Sequence, residues 1–155
     1  MAIRNILQLG DETLRKKSFE VTAFDQKLHQ LLDDMKDTLT KANGAGLAAP
    51  QVGVLRRVFI VSVDGAYFEC VNPKIINQSG SQEDMEGCLS VRGKYGSVKR
   101  PYSVTVKAFD RFGKPFTVNA SGFLARAFCH ENDHLDGIIY VDKATNLQEE
   151  GRNWE

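Results

Sequence analysis

Ser121-Gly122-Phe123-Leu124-Ala125-Arg126-Ala127-Phe128-Cys129-His130-Glu131-Asn132-Asp133-His134-Leu135-Asp136-Gly137 reads as one largely buried helix with a reactive face. Ser121 suits an N-cap, and Gly137 suits a stop just past the last turn. Leu124, Phe128 and Leu135 form an apolar face, while Phe123 and Ala127 share the face of the two histidines. His130 and His134 lie one turn apart, so both imidazoles can hold a single metal ion. Glu131 stands roughly 100° round the axis and flanks that ion, where a general base for water belongs. Arg126 lies at the edge of the same face, and its charge is expected to swing to solvent while its stem packs against the pocket.

The segments around this helix are shorter. Leu28, Leu31, Leu32, Met35 and Leu39 make an apolar stripe that predicts a helix over 25–41, opened by Asp25 and closed by Asn43-Gly44. Asp33, Asp34 and Asp37, near Lys36 and Lys41, read as its solvated face, and His29 reads as a surface residue. Gly44-Ala45-Gly46-Leu47-Ala48-Ala49-Pro50-Gln51 is a poor helix and a poor strand interior. It suits a backbone that approaches something closely. Val58–Val61 predicts a buried strand, with weaker strands at Tyr67–Val71 and Ile75–Ile76. Residues 103–120 alternate on both sides of Asp110-Arg111-Phe112-Gly113 and predict an antiparallel hairpin. Ile138–Val141 predicts a last strand, followed by a polar tail. Two helices among short strands without βαβ order imply an α+β fold. With no repeat or linker, residues 1–155 read as a single domain.

Composition limits the function. In 155 residues, 20 Lys and Arg balance 20 Asp and Glu. Zero net charge removes the main reason to propose a nucleic acid or an anionic membrane as partner. No apolar run is long enough to span a bilayer, and Met1–Gly10 does not read as a secretory leader. Three cysteines (Cys70, Cys88, Cys129) are an odd number. They fit a reduced cytoplasmic protein in which a special cysteine is a ligand or nucleophile.

A catalytic ion of this kind takes three protein ligands and keeps one position open. No histidine follows His134, and the only later glutamates are Glu149, Glu150 and Glu155 in the tail. The third ligand is therefore sought upstream. Cys88 is the best candidate, because its neighbours in Glu86-Gly87-Cys88-Leu89-Ser90 are small or polar. Cys129 points away from the histidine face, and Cys70 reads as a core thiol. A metal-dependent endopeptidase and a non-catalytic metal- or peptide-binding module stay open on these residues alone. The absence of a downstream ligand speaks against the first. The presence of Glu131 speaks against the second, because a closed structural site needs no base.

Gly44–Gln51, Glu86–Ser90 and His130–His134, taken together and in this order, resemble the three motifs of the peptide deformylase family. The resemblance covers roughly residues 4–142. It implies antiparallel β-sheets surrounding a central H-E-x-x-H helix, in a single catalytic domain. It also implies Cys88, His130 and His134 as metal ligands and Glu131 as acid and base. Gln51 would give a side-chain amide, and Leu89 a backbone N–H, to the carbonyl oxygen. Gly46 would bond the substrate backbone. Gly44 and Ala45 would wall the site opposite Phe123 and Ala127. One divalent ion is implied, usually Fe2+, with Zn2+, Ni2+ or Co2+ able to replace it.

The implied reaction is co-translational removal of the N-formyl group from N-formylmethionyl nascent peptides in the cytoplasm. Water activated at the metal attacks the formyl carbon, and formate leaves. A weak contact with the ribosome surface is the second implied partner; many bacterial members make it through a longer C-terminal helix, where this sequence has a short polar tail. Two positions depart from the family pattern. Cys129 stands where Gln commonly precedes the first histidine, and Arg92 stands where Pro often follows the Cys-Leu-Ser segment.

Overall fold

The computed structural model describes residues 2–149. Glu150 and Glu155, considered above as downstream ligands, lie outside them. The first helix, α1, spans Gln26–Ala42; the Asp25 side chain accepts from Leu28 N–H, and Asn43 closes it in the left-handed region. Five strands follow in one antiparallel sheet, in the order β1 (Gly46–Ala48), β2 (Val58–Val63), β3 (Ala66–Ser79), β6 (Ser103–Phe109) and β7 (Pro115–Ser121). A second antiparallel sheet has the order β4 (Gln82–Cys88), β5 (Val91–Arg100) and β8 (Thr145–Glu149). The second helix, α2, spans Phe123–Leu135.

The apolar run Val58–Val61 is buried because β2 has helices on both faces. Val58 and Ile60 join Leu28, Leu31, Leu32, Met35 and Leu39 of α1 in one cluster. Phe59 and Val61 join Ala125, Phe128 and Leu135 of α2 in another. Successive strand residues point to opposite faces, so one strand serves both cores. The predicted hairpin has Ser103 opposite Ser121 and Phe109 opposite Pro115, with Val104, Val106 and Ala108 facing α2. A third cluster of Leu14, Val91, Val98, Ile139 and Tyr140 joins the smaller sheet to the segment after α2, and Cys88 packs against it. The histidine face of α2 thus lies toward β4 and β5.

Several local expectations are corrected. Ser121 ends β7, with its Oγ 3.0 Å from Ser103 Oγ, and the N-cap of α2 is Gly122 at φ 64°. So abrupt a passage from strand to helix uses a backbone conformation open to glycine. At its other end α2 stops at Gly137 as expected, in the left-handed region at φ 75°, and Arg57 adds to this cap: its Nη1 donates to Leu135 O and Asp136 Oδ1 at 3.1 Å each. Such a cation satisfies orphan helix carbonyls and complements their dipole. Ile138–Val141 forms no strand: Tyr140–Asp142 is a 3-10 turn, and the last described strand is β8. Gly46–Ala48 pairs as an edge strand with β2, so the glycine-rich stretch is partly extended. Tyr67–Val71 and Ile75–Ile76 belong to one long strand, β3, with irregular pairing along β6.

Asp34 does not face solvent. Ala2 N, Arg4 Nε, Arg4 Nη2 and Gln30 Nε2 converge on its carboxylate at 3.2, 3.0, 2.8 and 2.7 Å, and it is buried. The N-terminal segment laid along α1 covers it, a long-range contact that helical periodicity does not register. Burial pushes this carboxyl up, but the donors outweigh it and hold the group below the usual carboxylate range.

Candidate metal centre and cleft

Two elements bring the reactive residues together. α2 presents His130 and His134 one turn apart, their rings 5.1 Å apart between centroids. The end of β4 delivers Cys88, whose Sγ lies 3.3 Å from His134 Nε2. One donor atom from each of Cys88, His130 and His134 falls within 4.8 Å of the others, the one such cluster among the described residues. A tetrahedral ion with Zn–N of about 2.1 Å and Zn–S of about 2.3 Å separates its donors by roughly 3.6 Å, close to the observed S···N spacing. One thiolate and two imidazoles are also a donor set suited to divalent first-row metals. The residues fit the ion that the sequence implies. Cys70 and Cys129 are buried in the cluster beneath α2, away from this site.

The ligand-bearing helix is steadied by a buried charge network that the sequence reading did not find. Glu86 Oε1 lies 2.9 Å from His130 Nδ1, leaving Nε2 as the ring nitrogen open to an ion. Arg100 grips the same carboxylate with Nε and Nη2 at 2.9 Å each, and its Nη1 reaches Asp133 Oδ2 at 2.7 Å. Arg126 donates to Glu86 Oε2 and to Val98 O. Its guanidinium is therefore buried and paired, against the expectation that it turns to solvent. Burial raises the Glu86 carboxyl, but the hydrogen bonds from Arg100 and His130 prevail and hold it well below the usual range. Glu86 precedes Cys88 by two, the spacing that places residues on one face of a strand. That signal was unusable, because Gln82–Cys88 shows no apolar alternation to announce β4.

Glu131 is buried at 4% exposure. Its Oε2 lies against Gly46, where an added Cβ would sit 2.5 Å away, and its Oε1 has no protein hydrogen-bond partner. The close approach expected of the glycine-rich segment is therefore to the Glu131 carboxylate. Burial pushes the Glu131 carboxyl up to about 7, with the charge of His130 opposing and that of Glu86 assisting. A dication beside the group would draw this value down again.

Gln51 is fixed from both ends. Its Oε1 accepts from Ala48 N at 2.9 Å, which orients the amide. Nε2 then faces Ser90 Oγ at 3.0 Å and Cys88 Sγ at 3.5 Å. A cleft of about 560 Å³ opens over these groups. Every residue assigned from the sequence to substrate binding lines it: Gly44, Ala45, Gly46, Phe123 and Ala127, together with Gln51 and Leu89.

Comparison with known proteins agrees with this geometry. The family described as polypeptide deformylase matches residues 3–150. The chain belongs to the peptide deformylase family. Peptide deformylase of Caldicellulosiruptor bescii is 57% identical over 150 residues, covering 97% of this chain and 90% of that one. The peptide deformylase of Acetivibrio thermocellus is 51% identical over 150 residues, covering 97% and 88%. The crystal structure of a Legionella pneumophila peptide deformylase superposes with a TM-score of 0.91 at 47% identity, covering 94% of this chain and 88% of that one. A Synechococcus elongatus peptide deformylase in complex with actinonin gives 0.89 at 38% identity, covering 92% and 79%. The α+β architecture, with antiparallel sheets and the H-E-x-x-H helix against them, is that of the family. It is a metal-dependent hydrolase family, in keeping with the Cys/His/His cluster.

Proposed function

We propose that the chain acts as a single catalytic domain that hydrolyses the N-formyl group of formylmethionyl peptides during protein biosynthesis, releasing formate. The observation that carries this reading is the convergence of Cys88, His130 and His134 beside a buried, unpaired Glu131 oxygen at the base of an open cleft. Cys88, His130 and His134 would hold one divalent ion, which supplies Lewis acidity toward the formyl oxygen and toward water. We assign Fe2+ as the resident ion on the family resemblance; Zn2+, Ni2+ and Co2+ suit the same donors.

The chain's own residues account for positioning and proton transfer. Glu131 Oε1, having no protein partner, is available to a water molecule and takes its proton as the oxygen adds to the formyl carbon. Negative charge then develops on the formyl oxygen. The Leu89 N–H and the Gln51 amide donate to it; the Gln51 contact to Sγ is long at 3.5 Å, so that hydrogen is easily redirected. Glu131 returns its proton to the amine as the C–N bond breaks. Gly44, Ala45 and Gly46 leave room for the formyl hydrogen, where an acetyl methyl would collide. Phe123 and Ala127 offer an apolar wall to an unbranched methionine side chain. Actinonin, present in the Synechococcus elongatus structure, is expected to occupy this cleft.

No described helix is long and apolar enough to cross a membrane. Nascent peptides as substrate place the reaction in the cytoplasm, where a weak contact with the ribosome surface would shorten the path to substrate. The test is formate release from formyl-Met, acetyl-Met and formyl-Asp peptides of equal length, by protein purified anaerobically with its metal counted. A kcat/KM far higher for formyl-Met than for the other two is expected. Equal values for formyl-Met and acetyl-Met would refute the proposed site.

A further inference from the structure

The rim of the cleft carries charge that the reaction itself does not use. Arg92 and Lys94, near the start of strand β5, both line the cleft. Arg92 is exposed. Its backbone N–H donates to Gln8 Oε1 at 3.4 Å, and among the described residues its guanidinium forms no ion pair. Lys94 faces Glu149 across the β5–β8 register and likewise forms no ion pair among the described residues. Among the described residues, the only carboxylates lining the same cleft, Glu86 and Glu131, are both buried, and Glu86 is already bound by Arg100 and Arg126. The charge offered to an entering peptide is therefore positive.

The position of Arg92 sets its reach. Cys88 pairs with Val91 across the β4–β5 turn, so Arg92 is one residue step and one strand spacing from a metal ligand. Those distances are about 3.3 Å and 4.8 Å, within the length of three extended peptide residues. We propose that Arg92, assisted by Lys94, makes the cleft select formylmethionyl peptides with an acidic side chain at the second or third residue. The inference rests on the deformylase reading of the same site. Arg92 is the stronger cation of the two, because Glu149 stands opposite Lys94 and offsets part of its charge.

The experiment measures kcat/KM for formate release by the metal-loaded full chain. The substrates are formyl-Met-Ala-Ser, formyl-Met-Ala-Asp and formyl-Met-Ala-Lys, each amidated at the C-terminus, and a second set carries the charged residue at position two. In the unsubstituted protein the Asp peptide is expected to exceed the Lys peptide about three- to tenfold at low salt. The ratio falls toward one in 0.5 M salt, where the screening length is only a few ångströms. Arg92→Gln lowers the ratio, and Arg92→Glu inverts it in favour of the Lys peptide. A loss of folding would slow all three peptides together and could not produce the inversion. Hydrolysis of the Ser peptide with Asp and Lys peptides equal, or a ratio that Arg92→Glu leaves unchanged, overturns the selectivity and leaves the deformylase reading intact. Absence of formate from every peptide overturns both.

Discussion

Gly46→Ala isolates the contact between the glycine-rich strand and the proposed general base. Gly46 is outside the left-handed region, so alanine meets no backbone penalty there. Any effect must come from the added methyl. That methyl would lie 2.5 Å from Glu131 Oε2 and 2.9 Å from both Cδ and Cγ, and Glu131 supplies all three nearest atoms. Ordinary contact begins at 3.4 Å, so the carboxylate or strand β1 must yield by about 0.9 Å. Glu131 is buried and lines the cleft, so its carboxylate can yield only by turning away from its present position toward the cleft. Overpacking of this kind costs about 1–3 kcal/mol. For a chain of this size, each kcal/mol lowers Tm by roughly 2–4 °C. Displacement of a catalytic group by about 1 Å can cost ~10²-fold in rate. The expected result is therefore a lower Tm with a kcat for formyl-Met peptide reduced roughly a hundredfold at unchanged metal content. The decisive control is the same substitution in a Glu131→Ala background. Removing the carboxylate removes the clash, so the Tm penalty of Gly46→Ala should largely vanish there. Unchanged kcat and Tm in the single variant, or a penalty that persists in the double variant, would refute this account of Gly46.

Cys88→Ala should lose most of its bound metal after dialysis, because two imidazoles from one helix cannot fix the coordination alone; elemental analysis of the purified protein checks this, and full occupancy would remove Cys88 from the ligand set. Glu131→Gln should retain the metal yet lose at least ~10²-fold in turnover, since the amide matches the carboxylate in size but accepts no proton; near-normal turnover with metal bound would exclude Glu131 as the base. Asp34→Asn should lower stability at pH 7 by roughly 1–3 kcal/mol, because Arg4 and the other donors lose a buried anion. The folded-state pKa of Asp34 is depressed, so its contribution is present above the unfolded-state value near 4 and is lost as pH falls through the folded value. The gap between the two proteins in urea midpoint should therefore close toward pH 2, and a gap that stays constant would refute the assignment.

The sequence by itself determined those features that depend on neighbours along the chain. Helical periodicity placed Leu28, Leu31, Leu32, Met35 and Leu39 on the buried side of α1, and all five are buried. The four-residue spacing of His130 and His134 put both rings on one face of α2. Alternation located the β6–β7 hairpin. Three short motifs also carried the resemblance that named the family. Other features depend on residues distant in sequence, for which no local pattern exists. Asp34 looked like one more acid on a charged helix face until the N-terminal segment folded over it. Its helical position alone sends Arg126 to solvent, but a glutamate 40 positions earlier is present to pair it in the interior. Strands β4 and β5 had no apolar alternation, since polar residues on β4 face the cleft and the buried network instead of an oily core. Glu86, Arg100 and Asp133 therefore stayed invisible as a group. Gly46 was legible as a close approach, but only the packing of β1 beside α2 identified the Glu131 carboxylate as what it approaches. A buried charge is tolerated only where its partner is delivered with it, and that delivery is a property of tertiary structure.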